Sequence, residues 1–164
     1  MSDTMPARYR RWFEYEKNAH DLVLASLATV PADQRSSPAY LKAVDLLAHI
    51  IGGRRIWLYR FGATSDGPPA LFPQGASLED VTASLRTTQV QWTEYLAKLT
   101  DTELARDFEY RSLDGGSFRS RVEDILTQLF GHSNYHRGQI ATLVRAAGGQ
   151  PAITDFVFWS RQPV

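Results

Sequence analysis

Apolar residues recur every three or four positions in four long stretches of this chain, with proline, glycine and serine between them. The first stretch predicts a helix over residues 6–29, with Trp12, Phe13, Glu16, His20, Val23, Leu24 and Leu27 along one stripe. Pro6 suits its first turn, and Val30-Pro31 ends it. Ser36-Ser37-Pro38 starts a second helix that runs to Phe61-Gly62, a serine cap with proline behind it. Residues 62–75 are too rich in glycine and proline for regular structure. Ser77, with Asp80 three residues on, opens a third helix through Val81, Leu85, Trp92, Leu96 and Leu99. Alternation between Phe108 and Phe118 around Asp114-Gly115-Gly116 predicts a short hairpin. A fourth helix follows over residues 120–147 and stops at Gly148-Gly149, with Pro151 beyond.

Four amphipathic helices of this length predict an all-α fold, a four-helix bundle. The long connection between the second and third is a candidate crossover, which would set those two helices parallel. Phe156, Val157, Phe158 and Trp159 crowd the tail, so residues 152–164 are expected to pack back on the bundle or on a partner.

With 164 residues and no internal repeat, the chain reads as one domain over 1–164, long enough to fold without staples. Eighteen basic against eighteen acidic residues supply no concentrated positive field, so a nucleic-acid partner is not expected. No apolar run approaches a membrane span and no signal-type apolar region appears, so a cytoplasmic location without membrane contact is expected. The absence of cysteine excludes disulfides, thiolate metal sites and a cysteine nucleophile. Reactive chemistry is left to histidines, carboxylates, hydroxyls or something bound.

Four histidines then carry the interest. His132 and His136 stand four apart on the fourth helix, with Ile125, Leu129 and Leu143 within about 30° of their midline. They therefore share the core-facing stripe, where an i, i+4 pair can chelate one ion. His49 lies in the second helix before Gly52 and Gly53, two glycines that each weaken a helix by about 1 kcal/mol relative to alanine. Either they clear space beside His49 for a ligand or a close helix, or they mark a kink beside a hydrogen-bonded core histidine. A shared ion would satisfy three inward imidazoles together. Ser133 follows His132, so the glutamate base of a His-Glu-x-x-His peptidase is missing. Three nitrogen ligands leave coordination positions open and suit zinc, nickel, iron and copper alike. His20, four residues after Glu16, reads as half of a surface Glu–His pair, with the mouth of a pocket as the other reading.

The run His132-Ser-Asn-Tyr-His136-Arg-Gly-Gln139-Ile-Ala-Thr-Leu-Val-Arg-Ala-Ala-Gly-Gly-Gln-Pro, followed by Thr154-Asp155, resembles the DinB/YfiT-like superfamily. Leu46-Leu47-Ala48-His49-Ile50 with Arg55-Ile56-Trp57 is similar to its second-helix segment, and residues 15–24 to its first helix. These are metal-binding four-helix bundles, unrelated to the DNA polymerase that shares the DinB name. The resemblance implies up-down-down-up connectivity, a divalent metal on His49, His132 and His136, with zinc or nickel typical, and in many members a homodimer. Characterised relatives include S-transferases and isomerases acting with bacillithiol, mycothiol or glutathione. Gln139, about 50° from the histidine midline, and Gly53 are candidates for the pocket. Arg137 is expected to bridge to Asp155 or another carboxylate, and Tyr135 and Trp57 to pack.

Two functional readings follow. One is a metal-dependent enzyme that transfers a small-thiol group, or hydrolyses a small substrate, at a three-histidine site. The other is a non-catalytic dimeric stress protein that binds metal or ligand. Core histidines without metal are the bland third.

Overall fold

A computed structural model describes residues 4–67 and 70–164. Helix α1, Met5–Ala28, is capped by Thr4, whose hydroxyl accepts from the amide of Ala7 at 3.4 Å. Helix α2, Pro38–Arg60, opens on Ser37, which accepts from Tyr40 N at 3.3 Å. Helix α3, Leu78–Ala97, is capped by Ser77 as its sequence predicts. Ser77 Oγ accepts from Asp80 N at 3.1 Å and donates to Asp80 Oδ2 at 2.7 Å. One turn of helix, α4 (Asp101–Leu104), leads into the antiparallel strands β1 (Asp107–Arg111) and β2 (Ser117–Arg121). Gly115 turns the hairpin with φ 90°, a backbone state open to glycine.

Strand β2 runs straight into α5, Val122–Ala146. The fourth long helix thus begins later than its periodicity suggests, because Ser120 and Arg121 pair with Phe108 and Asp107 across the hairpin. The tail adds a short helix α6, Phe156–Ser160. Phe156 and Trp159 pack on Tyr15 at 5.1 and 5.9 Å between ring centres, whereas Val157 and Phe158 stay exposed. α4, α6 and a 3-10 turn at residues 32–34 are too short for periodicity to reveal. Pro68 and Pro69 of the breaker-rich loop lie outside the described residues. No described helix is long and apolar enough to cross a membrane.

The fold is mostly helical, and its apolar core divides in two. One cluster joins Val23 and Leu27 of α1, Tyr40, Val44 and Leu47 of α2, Val81 and Leu85 of α3, and Ile140 and Val144 of α5. The other joins Tyr9 and Phe13, Leu58, Trp92 and Leu96, and Val122 to Leu129. On each long helix buried polar residues stand between the clusters or at the edge of one: Glu16 and His20, His49 and Arg54, Thr88, and Ser133 and Arg137.

This polar layer corrects two expectations. Glu16 and His20 are not a surface pair; both are buried, and Arg54 Nη2 donates to Glu16 Oε2 from α2. That partner lies 38 residues away and neutralises the carboxylate inside the fold, which no local spacing signals. Arg137 makes no ion pair with Asp155 or another carboxylate among the described residues. Its Nη2 donates to the Tyr15 hydroxyl at 2.9 Å and to Asn134 Oδ1 at 3.2 Å. The hydroxyl itself donates to the carbonyl of Thr154, so Arg137 ties α5 to α1 and, through it, to the tail.

Candidate metal centre

Helices α2 and α5 pack closely, and at mid-height they bring His49 against His132 and His136. One ring nitrogen from each lies within 4.8 Å of the others. His132 Nε2 and His49 Nε2 are 3.0 Å apart. Two nitrogens each about 2.05 Å from a common ion stand about 2.9–3.4 Å apart at right-angled to tetrahedral geometry, so this separation is that of neighbouring ligands.

The outer nitrogens set the tautomers. His49 Nδ1 lies 2.5 Å from the carbonyl oxygen of Leu71, which only accepts, so Nδ1 carries the proton and Nε2 a lone pair. His136 Nδ1 donates likewise to Gln139 Oε1 at 2.7 Å. Hydrogen bonds of this kind orient metal-binding imidazoles and make them better donors. Burial pulls His132 down to about 4, and the neighbouring His136, His49 and Arg54 add to it. His136 is lowered too, first by burial, with its bond to Gln139 opposing. Both imidazoles therefore stay neutral at pH 7, the state a metal requires. The chemistry of this donor set fits a divalent ion of the zinc, nickel, copper or iron type.

The two glycines of α2 have separate jobs. A Cβ at Gly52 would stand 3.3 Å from the carbonyl oxygen of Ala70, so Gly52 lets residues 70–72 close onto the helix. Gly53 faces the His132 ring: a Cβ there would touch Cε1 at 3.5 Å and Nδ1 at 3.8 Å. The Gly52 contact explains how Leu71 reaches His49. It also places Phe72, 73% exposed, flat on the His49 ring at 4.8 Å and 12°.

Two clefts open beside the histidines. One, about 890 Å³, lies between α2, α5 and residues 72–75, with Leu41, Asp45, Gln139 and Leu143 on its walls. The other, about 550 Å³, runs along α2 from His49 and His132 past Gly53 and Trp57 toward the hairpin. Of the candidate pocket residues, Gly53 and Gln139 are at the histidines; His20 lines neither cleft and belongs to the interior layer with Glu16.

The sequence profile of the DinB family matches residues 1–163. The chain belongs to the DinB family. The fold agrees: a DinB-like protein from Bacillus cereus superposes with a TM-score of 0.63 at 20% identity, covering 87% of this chain and 94% of that one. Among curated proteins none matches the sequence.

In this DinB-family protein, sequence reasoning missed Leu71, Phe72 and the Glu16–Arg54 pair. An aromatic residue standing alone in a proline- and glycine-rich loop was the available signal for Phe72. Nothing local pointed to a main-chain carbonyl as partner for His49. Tyr135, expected to pack, is 65% exposed beside His136, whereas Trp57 packs as expected, against Phe61, Phe108 and Tyr110, and also lines the second cleft.

Proposed function

We propose that this DinB-family protein binds a divalent ion, zinc or nickel, through Nε2 of His49, His132 and His136, and uses the site to transfer a small-thiol group to an electrophile. The observation that carries this reading is the convergence of three imidazoles at the junction of two clefts. No fourth histidine or carboxylate joins them among the described residues. A three-ligand set leaves room for an exogenous ligand. An ion held there would lower the pKa of a bound thiol or water. His49 and His136 are held by Leu71 and Gln139 in the tautomer that presents Nε2. Leu41, Leu46 and Leu143 on one side and Ile56, Trp57 and Leu129 on the other give each cleft a partly apolar lining. In the transfer, a carbon–sulfur bond forms, the bond to the leaving group breaks, and the thiol proton passes to solvent. Hydrolysis of a small substrate is the variant in which water takes the place of the thiol.

The two core clusters support an up-down-down-up path, because the start of α1 meets the ends of α2 and α3 and the start of α5. Exposed Tyr135, Val157 and Phe158 favour a homodimer and, with it, the second reading of a non-catalytic metal- or ligand-binding protein.

Elemental analysis of untagged protein, with His132→Ala as control, tests the ion. One equivalent in the parent and its loss in the variant is the expected result. Electrophile consumption with bacillithiol, mycothiol or glutathione then separates the readings. Metal-loaded protein that turns over none of them leaves the binding protein standing and removes the transferase.

A further inference from the structure

The second cleft has a charged end that the histidines do not explain. Residues 49, 53, 56, 57 and 60 follow one face of α2, so Arg60 lies three turns, about 16 Å along the axis, from His49. Its guanidinium stacks on Trp57 at 4.6 Å and on Tyr110 at 5.2 Å, and Nη2 donates to the carbonyl of Arg111 at 2.7 Å. Among the described residues no carboxylate comes within ion-pair distance of it. The one acid on the cleft wall, Asp114, is held in the hairpin turn by the Ser112 hydroxyl and the amide of Gly116. Arg60 thus keeps donors free in a cleft lined mainly by Ile56, Trp57, Leu113 and Leu129, with Ser112 and Gln128 as uncharged polar neighbours.

A cation braced by aromatic rings and lacking a counter-ion is poised for a planar anion, which guanidinium binds in bidentate fashion. Predominantly apolar walls with a few placed polar groups are the usual build of a small-molecule site. We propose that the cleft between α2 and the hairpin binds an elongated organic anion, an alkyl or aryl carboxylate, with its carboxylate on Arg60 and its opposite end at the histidine triad. The proposal rests on the reading of the triad as an open metal site. It adds the substrate class: a molecule with an acidic tail and an apolar body, reacting at the end remote from its charge.

Cobalt-loaded protein tests both at once, since a thiolate on cobalt absorbs in the near ultraviolet. Mercaptohexanoic, mercaptooctanoic and mercaptoundecanoic acids are titrated alongside the mercaptoalkanols of equal length. At one length the acid is expected to bind about tenfold tighter than its alcohol. Arg60→Met, which keeps the contact with the rings and removes the charge, should abolish that gap and leave the alcohol unchanged. Arg60→Lys should restore part of it. Equal binding of acid and alcohol, or a gap that survives Arg60→Met, overturns the proposal. Urea unfolding checks that the variants remain folded, because Arg60 also tethers β1. If no thiol gives the absorption, the open metal site fails instead. Binding of phenyloctanoate to metal-free protein by calorimetry then decides Arg60: heat lost in Arg60→Met supports the anion subsite, and no difference removes it.

Discussion

Glu16 and Arg54 form an ion pair sealed inside the protein, with the guanidinium boxed by the rings of Phe13, Trp92 and Phe130 at 4.8–5.6 Å. Trp92 also donates its indole N–H to the carbonyl of Arg54 at 3.2 Å. The pair joins α1 to α2 at the height of the histidines and separates the two apolar clusters. Taking two charges out of water is unfavourable, so the pair contributes little net stability, yet losing one partner strands the other. Glu16→Ala is therefore expected to destabilise by about 3–5 kcal/mol in urea unfolding. The double change Glu16→Leu with Arg54→Met should recover most of that loss, and a double variant as unstable as Glu16→Ala would contradict this account.

His20 makes the interior sensitive to acid. Its Nε2 is 3.9 Å from Glu16 Oε1, and burial drives its pKa well below the ordinary imidazole range, with Arg137, Arg54 and Arg86 adding to the effect. In the unfolded chain the ring titrates near about 6.5, so as pH falls the unfolded state takes up the proton first. The stabilisation is complete above about pH 6.5 and is lost below it, until the folded ring itself protonates. Metal-free protein should lose stability between about pH 7 and pH 5, and His20→Gln should lose less over the same range. His132 and His136 act in the same direction but are common to both proteins, so the difference in slope reports His20 alone. Parallel slopes would show that His20 is not the group responsible.

Gln139 holds the His136 tautomer without touching the space where the ligands converge. Replacing it by leucine keeps the bulk and removes the acceptor for Nδ1. Zinc affinity, read by competition with a chromophoric chelator, is expected to fall about 10- to 100-fold with little change in unfolding. An unchanged affinity would mean that Gln139 does not orient the ring.

Gly53 gives a graded test of the space beside His132. A single methyl makes ordinary contact with the ring, so Gly53→Ala should stabilise α2 by about 0.5–1 kcal/mol and retain metal. Gly53→Leu must displace the imidazole, and its metal content should collapse. Metal loading equal to the parent in the leucine variant would show that the ring is free to move aside.

The four long helices, the hairpin and the histidine set were legible in the sequence because each rests on local physics. Side chains three and four apart share a face, and Ser37 and Ser77 cap amides three residues on. His132 and His136 lie one turn apart whatever the rest of the chain does. What the sequence left open depends on residues far apart in the chain. Arg54 turns Glu16 and His20 from a surface pair into an interior one, and Tyr15 takes the place of a carboxylate at Arg137. Leu71 and Phe72, in the segment with the weakest pattern, complete the surroundings of His49 because Gly52 lets their backbone approach. Local spacing determines which faces of the helices are apolar and where imidazoles stand. Only the packing of α1, α2 and α5 against one another decides which buried charges are paired and which clefts open onto the histidines, because desolvation and pairing depend on every element that surrounds a group.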